Sequence, residues 1–315
     1  MEVVLMFGFT PYNYETFRRN LLIKDLAFTK FLGAPKPGDE APDFQGRTID
    51  GDKIRLSDFE GESNVVVTFG SVTCPFTAAS IKGLNELYED FSDEVEFLFV
   101  YVREAHPGEE IGPHREMREK VRAAEQLRDE ENVEIPILVD DLNGHIHKKY
   151  GKAPNPTYLI DRSGRIAFRM LNTNTTVLGA AIEELLERQE DRGTDHVIVH
   201  GGEYHGIPKA SALLHTHRAL RRGGKKSVDD FKHEMGWPGR VAVTGSRVVA
   251  PVVEHPLAAL AMVGATAGVI ALGIWGGLAL RNRRKSIYRN PYDYGQFKSR
   301  RRDGDDRNDY EAVGI

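Results

Sequence analysis

The run Asn64–Gly70 (NVVVTFG) has no charged residue and is mostly β-branched or aromatic, the pattern of a strand buried on both faces. Residues 94–102 (EVEFLFVYV) repeat that pattern and residues 135–140 (IPILVD) echo it. Between the first two runs lies a helical stretch, 77–91, with Ile81, Leu84 and Leu87 on one face. Buried strands separated by helices need a sheet with helices packed on it. Thr48-Ile49-Asp50-Gly51 supplies a hairpin turn before them. After them, Asp161-Arg162-Ser163-Gly164 turns a strand at 157–160 into another at 165–170, and a helix at 175–190 closes the unit. The fold class is therefore α/β, a central mixed sheet flanked by helices.

The rest of the chain divides by composition. Residues 1–36 read as a helical lead-in, amphipathic through Phe17, Leu21, Leu22 and Phe28, and residues 37–191 hold the α/β unit. Residues 192–256 are rich in Gly and His and read as an extension or linker. Residues 257–280 (LAALAMVGATAGVIALGIWGGLAL) hold no charge over a length that crosses a bilayer, which predicts one transmembrane helix. Residues 281–315 form a basic-then-mixed tail whose expected state is disorder. No N-terminal secretory signal is readable, because Glu2 stands where a basic region belongs. Seven Lys/Arg follow the apolar run within residues 281–300 and only Arg240 and Arg247 precede it within 237–256, which by itself places the tail in the cytoplasm. The missing signal points the other way and is given more weight, so the domain is expected to face the cytoplasm from a single-pass anchor.

One cysteine in 315 residues excludes an internal disulfide and any multi-cysteine zinc site. The formal net charge of −5 gives no footprint for nucleic acid. The His145/His147, His196/His200/His205 and His215/His217 groups match no metal spacing, and no metal or other cofactor is expected. Cys74 itself lies where the first buried strand gives way to a helix that opens on Pro75. Helix N-terminal amides favour a thiolate, so this position predicts a reactive sulfur.

Three motifs then carry a resemblance. Phe69-Gly70-Ser71-Val72-Thr73-Cys74-Pro75-Phe76, Tyr101-Val102-Arg103-Glu104-Ala105-His106-Pro107 and the run from His114 to Ala124 resemble, in order, the active-site motifs of the iodothyronine deiodinase family. The resemblance covers roughly residues 40–190 and implies a thioredoxin-like fold. It implies that Cys74 stands where the family usually carries selenocysteine, the redox nucleophile. It also implies that Glu104 and His106 form an active-site pair and that His114 is a second functional histidine. Thr73 and Pro75 flank the nucleophile as supporting residues. Pro156 is placed like the cis-proline that faces the nucleophile in thioredoxin folds, with Pro154 as its rival. From the residues alone, a histidine near a thiol is a proton donor or acceptor, and Glu104 is expected to orient His106.

The sequence also departs from the family. Val72 replaces a further cysteine, Phe76 replaces a second proline, and the stretch from His106 to His114 is short and lacks the family's tryptophan. A lone sulfur cannot resolve itself, so turnover requires an external thiol or a thioredoxin-type reductase. The reading is a membrane-tethered, single-cysteine thiol oxidoreductase with deiodinase-like reductive dehalogenation as its chemistry. The rival readings are a one-cysteine peroxidase, for which Val67 and Ser71 leave the signature incomplete, and a non-catalytic interaction module. The expected partners are the reductant and a lipid bilayer, with a homodimer compatible and nucleic acid excluded.

Overall fold

A computed structural model describes residues 12–20, 33–205 and 211–254. The hairpin β1 (Gln45–Thr48) and β2 (Lys53–Arg55) forms around the Asp50-Gly51 turn and leads through a short 3-10 turn into β3 (Asn64–Gly70). Then come α1 (Pro75–Phe91), β4 (Val95–Tyr101), α2 (Met117–Glu131), β5 (Ile137–Val139) and α3 (His145–Lys149). The second half of the sheet is β6 (Thr157–Ile160) and β7 (Ile166–Met170), followed by α4 (Thr175–Arg192) and the two-residue β8 (Glu203–Tyr204). Two further helices follow, α5 (Ser211–Arg222) and α6 (Lys225–Glu254), the latter broken at Gly236.

The sheet runs β2-β1-β5-β4-β3-β6-β7-β8. β3, β4 and β5 are parallel, whereas β6 pairs antiparallel with β3 and β7 with β6. A parallel β-α-β start joined to a terminal antiparallel hairpin and helix is the thioredoxin-like arrangement. It puts β3 at the centre of the sheet, with Cys74 just beyond its C-terminal edge, where open α/β sheets gather their ligands.

Alternation along the central strands explains why they read as unbroken apolar runs. Val66 of β3 and Phe97 and Phe99 of β4 point into a core with Ile81 and Leu84 of α1, Leu127 of α2 and Ile182 of α4. Val65, Val67 and Phe69 point to the opposite face and pack with Phe44, Leu138, Tyr150 and Tyr158. Both faces are covered, so every residue of β3 is buried. The polar end of β3 is satisfied inside the protein: Asn64 and Gln189 exchange two side-chain hydrogen bonds of 2.9 Å.

The stretch read as an extension or linker contains two helices, and α5 packs on α1. Two expectations change. The sheet extends past residue 191, because Val197 and Val199 enter the core and β8 pairs with β7. Phe17 lies in a non-helical stretch rather than on an amphipathic helix. Leu21, Leu22 and Phe28 lie outside the described residues, as do the transmembrane run 257–280 and the tail. Among the described residues no helix is long and apolar enough to cross a membrane.

Gly70 ends β3 under the Cys74 loop, and a Cβ there would sit 2.4 Å from Thr77 Oγ1 and 2.7 Å from Phe99 Cζ. Overpacking of that kind costs about 1–3 kcal/mol. Gly70→Ala is therefore expected to lower the urea midpoint by that equivalent, and an unchanged midpoint would contradict the packing described for the strand end.

Candidate functional site

Cys74 is the N-cap of α1, with extended backbone, and Pro75 takes the first helical position, where no amide is needed. The Cys74 amide donates to Ser71 O at 3.1 Å, which closes a tight turn between β3 and α1. The thiol is 1% exposed. Burial pushes its pKa up, and the Glu104 carboxylate adds to that; bonds from Thr77 and the Phe76 amide oppose it without prevailing. The helix start thus acts on the sulfur as expected, yet the resting group is a thiol rather than a thiolate. Desolvation outweighs the helix amides.

Glu104 organises the surroundings. Its Oε2 accepts from the Thr73 amide at 3.2 Å and from Thr73 Oγ1 at 2.6 Å. Its Oε1 accepts from His114 Nε2 at 2.9 Å and from the Tyr101 hydroxyl. Burial raises the carboxyl pKa, but the bonds from His114, Thr73 and Tyr101 together hold it below the ordinary carboxylate range. Thr73 Oγ1 also accepts from the His106 amide at 3.1 Å, and Ser71 Oγ accepts from the Ala105 amide at 3.1 Å. The loop before Cys74 and the loop after β4 are therefore stitched together side chain by side chain.

Two sequence expectations are corrected here. Glu104 does not orient the His106 ring; it binds His114, which is buried and precedes α2 instead of capping it. The His106 ring turns the other way, between Phe17 at 4.4 Å and Phe231 at 5.3 Å between centroids. Its Nδ1 is buried without a hydrogen-bond partner. Desolvation in this apolar cage pushes its pKa down to about 3, against a weak opposing pull from Glu104. The ring is neutral at physiological pH. The second correction concerns Pro156. Among the described residues no peptide bond is cis, and the Pro156 carbonyl accepts the Phe69 amide within the sheet. Pro154, the rival, lines the space beside Cys74, as Pro75 does, whereas Pro156 is not among the described lining residues.

That space is a cavity of about 190 Å3 lined by Cys74 and His106, with Phe17, Phe76, Phe231 and Met235 among its walls. Among the described residues no charged side chain lines it. The sequence reading missed Tyr101 as a site residue, although its position three residues before Glu104 at a buried strand end was a signal. It missed Phe231 and Met235 because nothing in their spacing relates them to Cys74. Of the histidine groups, His147 Nε2 donates to Ala153 O and its Nδ1 meets the Tyr12 hydroxyl, while His196 and His200 pair with Asp161 and Glu184. Among the described residues no cluster suited to a metal is found.

The family model described as iodothyronine deiodinase matches residues 16–190, more than half of the chain. Type II iodothyronine deiodinase of Bos taurus is 30% identical over 155 residues, covering 44% of this chain and 56% of its own length. Thyroxine 5-deiodinase of Gallus gallus is 30% identical over 139 residues, covering 41% and 52%. The chain thus spans about half the length of the curated relatives it matches. Among solved structures, the thioredoxin domain of a thiol-disulfide oxidoreductase from Bacteroides vulgatus superposes with a TM-score of 0.38 at 19% identity, over 47% of this chain and 96% of that one.

The buried neutral imidazole makes a pH prediction. His106 titrates near 6.5 in the unfolded chain and near 3 in the fold, so between those values the unfolded chain binds a proton that the fold does not. Its contribution to stability is complete above about pH 6.5 and is lost as the pH falls toward 3. His106→Phe is expected to flatten the dependence of unfolding free energy on pH in that window by up to about 1.4 kcal/mol per pH unit. Parallel wild-type and variant slopes from pH 6 to pH 4 would contradict the burial of a neutral ring.

Proposed function

The chain belongs to the iodothyronine deiodinase family, and we propose that it is a thiol-dependent oxidoreductase in which Cys74 carries out reductive dehalogenation of an aryl halide. The observation that carries this reading is the shared cavity: the sulfur and a neutral imidazole face the same apolar space, on two loops locked by Glu104. Sulfur and heavy halogens are both soft and polarisable, and an apolar, water-poor site strengthens their encounter.

In the proposed step Cys74 Sγ attacks the halogen. A sulfur–halogen bond forms and the carbon–halogen bond breaks. The aryl carbon takes up the thiol proton, which passes through His106. Sulfur is oxidised and carbon is reduced, so the sum is a sulfenyl halide and an arene from a thiol and an aryl halide. One external thiol then displaces the halide, leaving as hydrogen halide, and forms a mixed disulfide with Cys74. A second external thiol releases the disulfide and restores the cysteine. His106 suits a relay because burial keeps it from retaining the proton. Glu104, Thr73 and His114 act as positioning residues, since their bonds hold the loops and not the sulfur.

The proposal includes the external thiol or thioredoxin-type reductase as the source of electrons. It also includes attachment to a bilayer through residues 257–280, supported by the uncharged length of that run. A one-cysteine peroxidase is the rival on the same residues. The apolar walls favour a bulky soft electrophile over peroxide.

Halide release from 3-iodophenol in the presence of dithiothreitol checks the reading. Wild type is expected to release iodide catalytically, and Cys74→Ser to lose at least a hundredfold in rate. Rapid sulfenylation by peroxide with no iodide release would instead establish the peroxidase.

A further inference from the structure

The roof of the cavity comes from α5 and α6, which lie outside the family match at residues 16–190. Leu213 and Thr216 of α5 and Phe231 and Met235 of α6 all line it. This roof is fixed to the same loops that carry the chemistry. The Arg222 guanidinium is buried, donates to Val72 O at 3.1 Å and pairs with Glu130 and Glu131 of α2. The turn between the two helices sits directly on the His106 loop. A Cβ on Gly223 would lie 2.6 Å from His106 O, and Gly223 O accepts the Glu110 amide at 3.1 Å. The Glu109 carboxylate caps α6 by accepting the Lys225 and Lys226 amides at 2.6 and 2.7 Å. With both helices tied to the nucleophile loop and the histidine loop, the size of the cavity is set by the fold.

That size and lining limit what fits. An apolar cavity of about 150 Å3 holds one benzene ring, and this one measures about 190 Å3. A single ring with one or two substituents fits. Two linked rings need roughly 300 Å3 on the same scale. Among the described residues the lining also offers no counter-ion to an amino-acid carboxylate or ammonium, and burying either unpaired is strongly unfavourable. Among the described residues lining the site, the unpartnered buried polar atom is His106 Nδ1, an acceptor for a hydroxyl while the ring proton sits on Nε2.

We propose that α5 and α6 restrict this site to uncharged, single-ring halogenated aromatics of the halophenol class, with Phe231 and Met235 as the residues that exclude a second ring. This inference rests on the dehalogenase reading for the halogen, but its steric and charge content does not. Specificity is tested separately from turnover, by protection of Cys74 in the full chain from methyl methanethiosulfonate. The probes are 3-methylphenol (one ring, uncharged, methyl in place of halogen), 4-phenoxyphenol (two rings) and tyrosine (one ring, charged).

3-Methylphenol is expected to protect Cys74 at concentrations at least tenfold below those needed with either other probe. Phe231→Ala with Met235→Ala should bring 4-phenoxyphenol within threefold of 3-methylphenol. Met235→Trp, which fills the cavity, should abolish protection by 3-methylphenol. Equal protection by the one-ring and two-ring probes in wild type, protection by none of them, or a probe ratio unmoved by the roof substitutions would overturn the inference. Failure of iodide release with the protection pattern intact would instead remove the dehalogenase reading and leave the single-ring selectivity standing.

Discussion

The site depends on one buried carboxylate. Glu104 sits among strand ends where an ionised group costs several kcal/mol to desolvate, and it is kept there by four donors, two on each oxygen. Hydrogen bonds to a charged acceptor contribute about 1.5–3 kcal/mol each, enough together to offset that cost. The donors come from the end of β4, the loop before α1 and the segment before α2. One side chain therefore fixes the relative positions of three pieces of chain that are distant in sequence. Cys74 follows one of those pieces directly and His106 is tied to it through Thr73 Oγ1.

The electrostatic consequence runs against the simplest picture of a cysteine at a helix start. Near-complete burial, with a smaller contribution from the carboxylate nearby, disfavours a thiolate, and the cage of Phe17 and Phe231 disfavours an imidazolium. The resting pair is neutral on both sides. A neutral thiol beside a neutral imidazole is guarded from adventitious oxidation and alkylation, because the reactive form appears only when a proton moves. An apolar occupant that excludes the remaining water strengthens every local interaction on which that movement depends.

Much of this was legible in the residues, and the limits have physical reasons. The apolar runs of β3 and β4, the Asp-Gly hairpin and the strand-to-helix junction at Cys74-Pro75 each carry a local signal, so architecture and nucleophile could be read from short windows. Glu104, His106 and His114 could be named as a group but not connected correctly. Which carboxylate oxygen meets which ring depends on the path of a loop from residue 103 to residue 114, and no periodicity encodes that path. His114 stands three residues before a helix, and nothing in its sequence neighbours tells which carboxylate its ring meets. The stretch after residue 191 reads only as an extension or linker because Gly and His mark its composition. Its packing comes instead from a few long-range anchors, Arg222 on Val72 above all.

The most direct test of the account is the pH profile of Cys74 alkylation in wild type and in Glu104→Gln. Burial chiefly raises the thiol pKa, the Glu104 charge adds to it, and the carboxylate ties the two loops together, so the charge effect and the loop bonding relax together when it is neutralised. The variant's profile is expected to move to lower pH, with faster alkylation at pH 7 than in wild type. A profile that is unchanged, or that moves to higher pH, would contradict the central role given to Glu104.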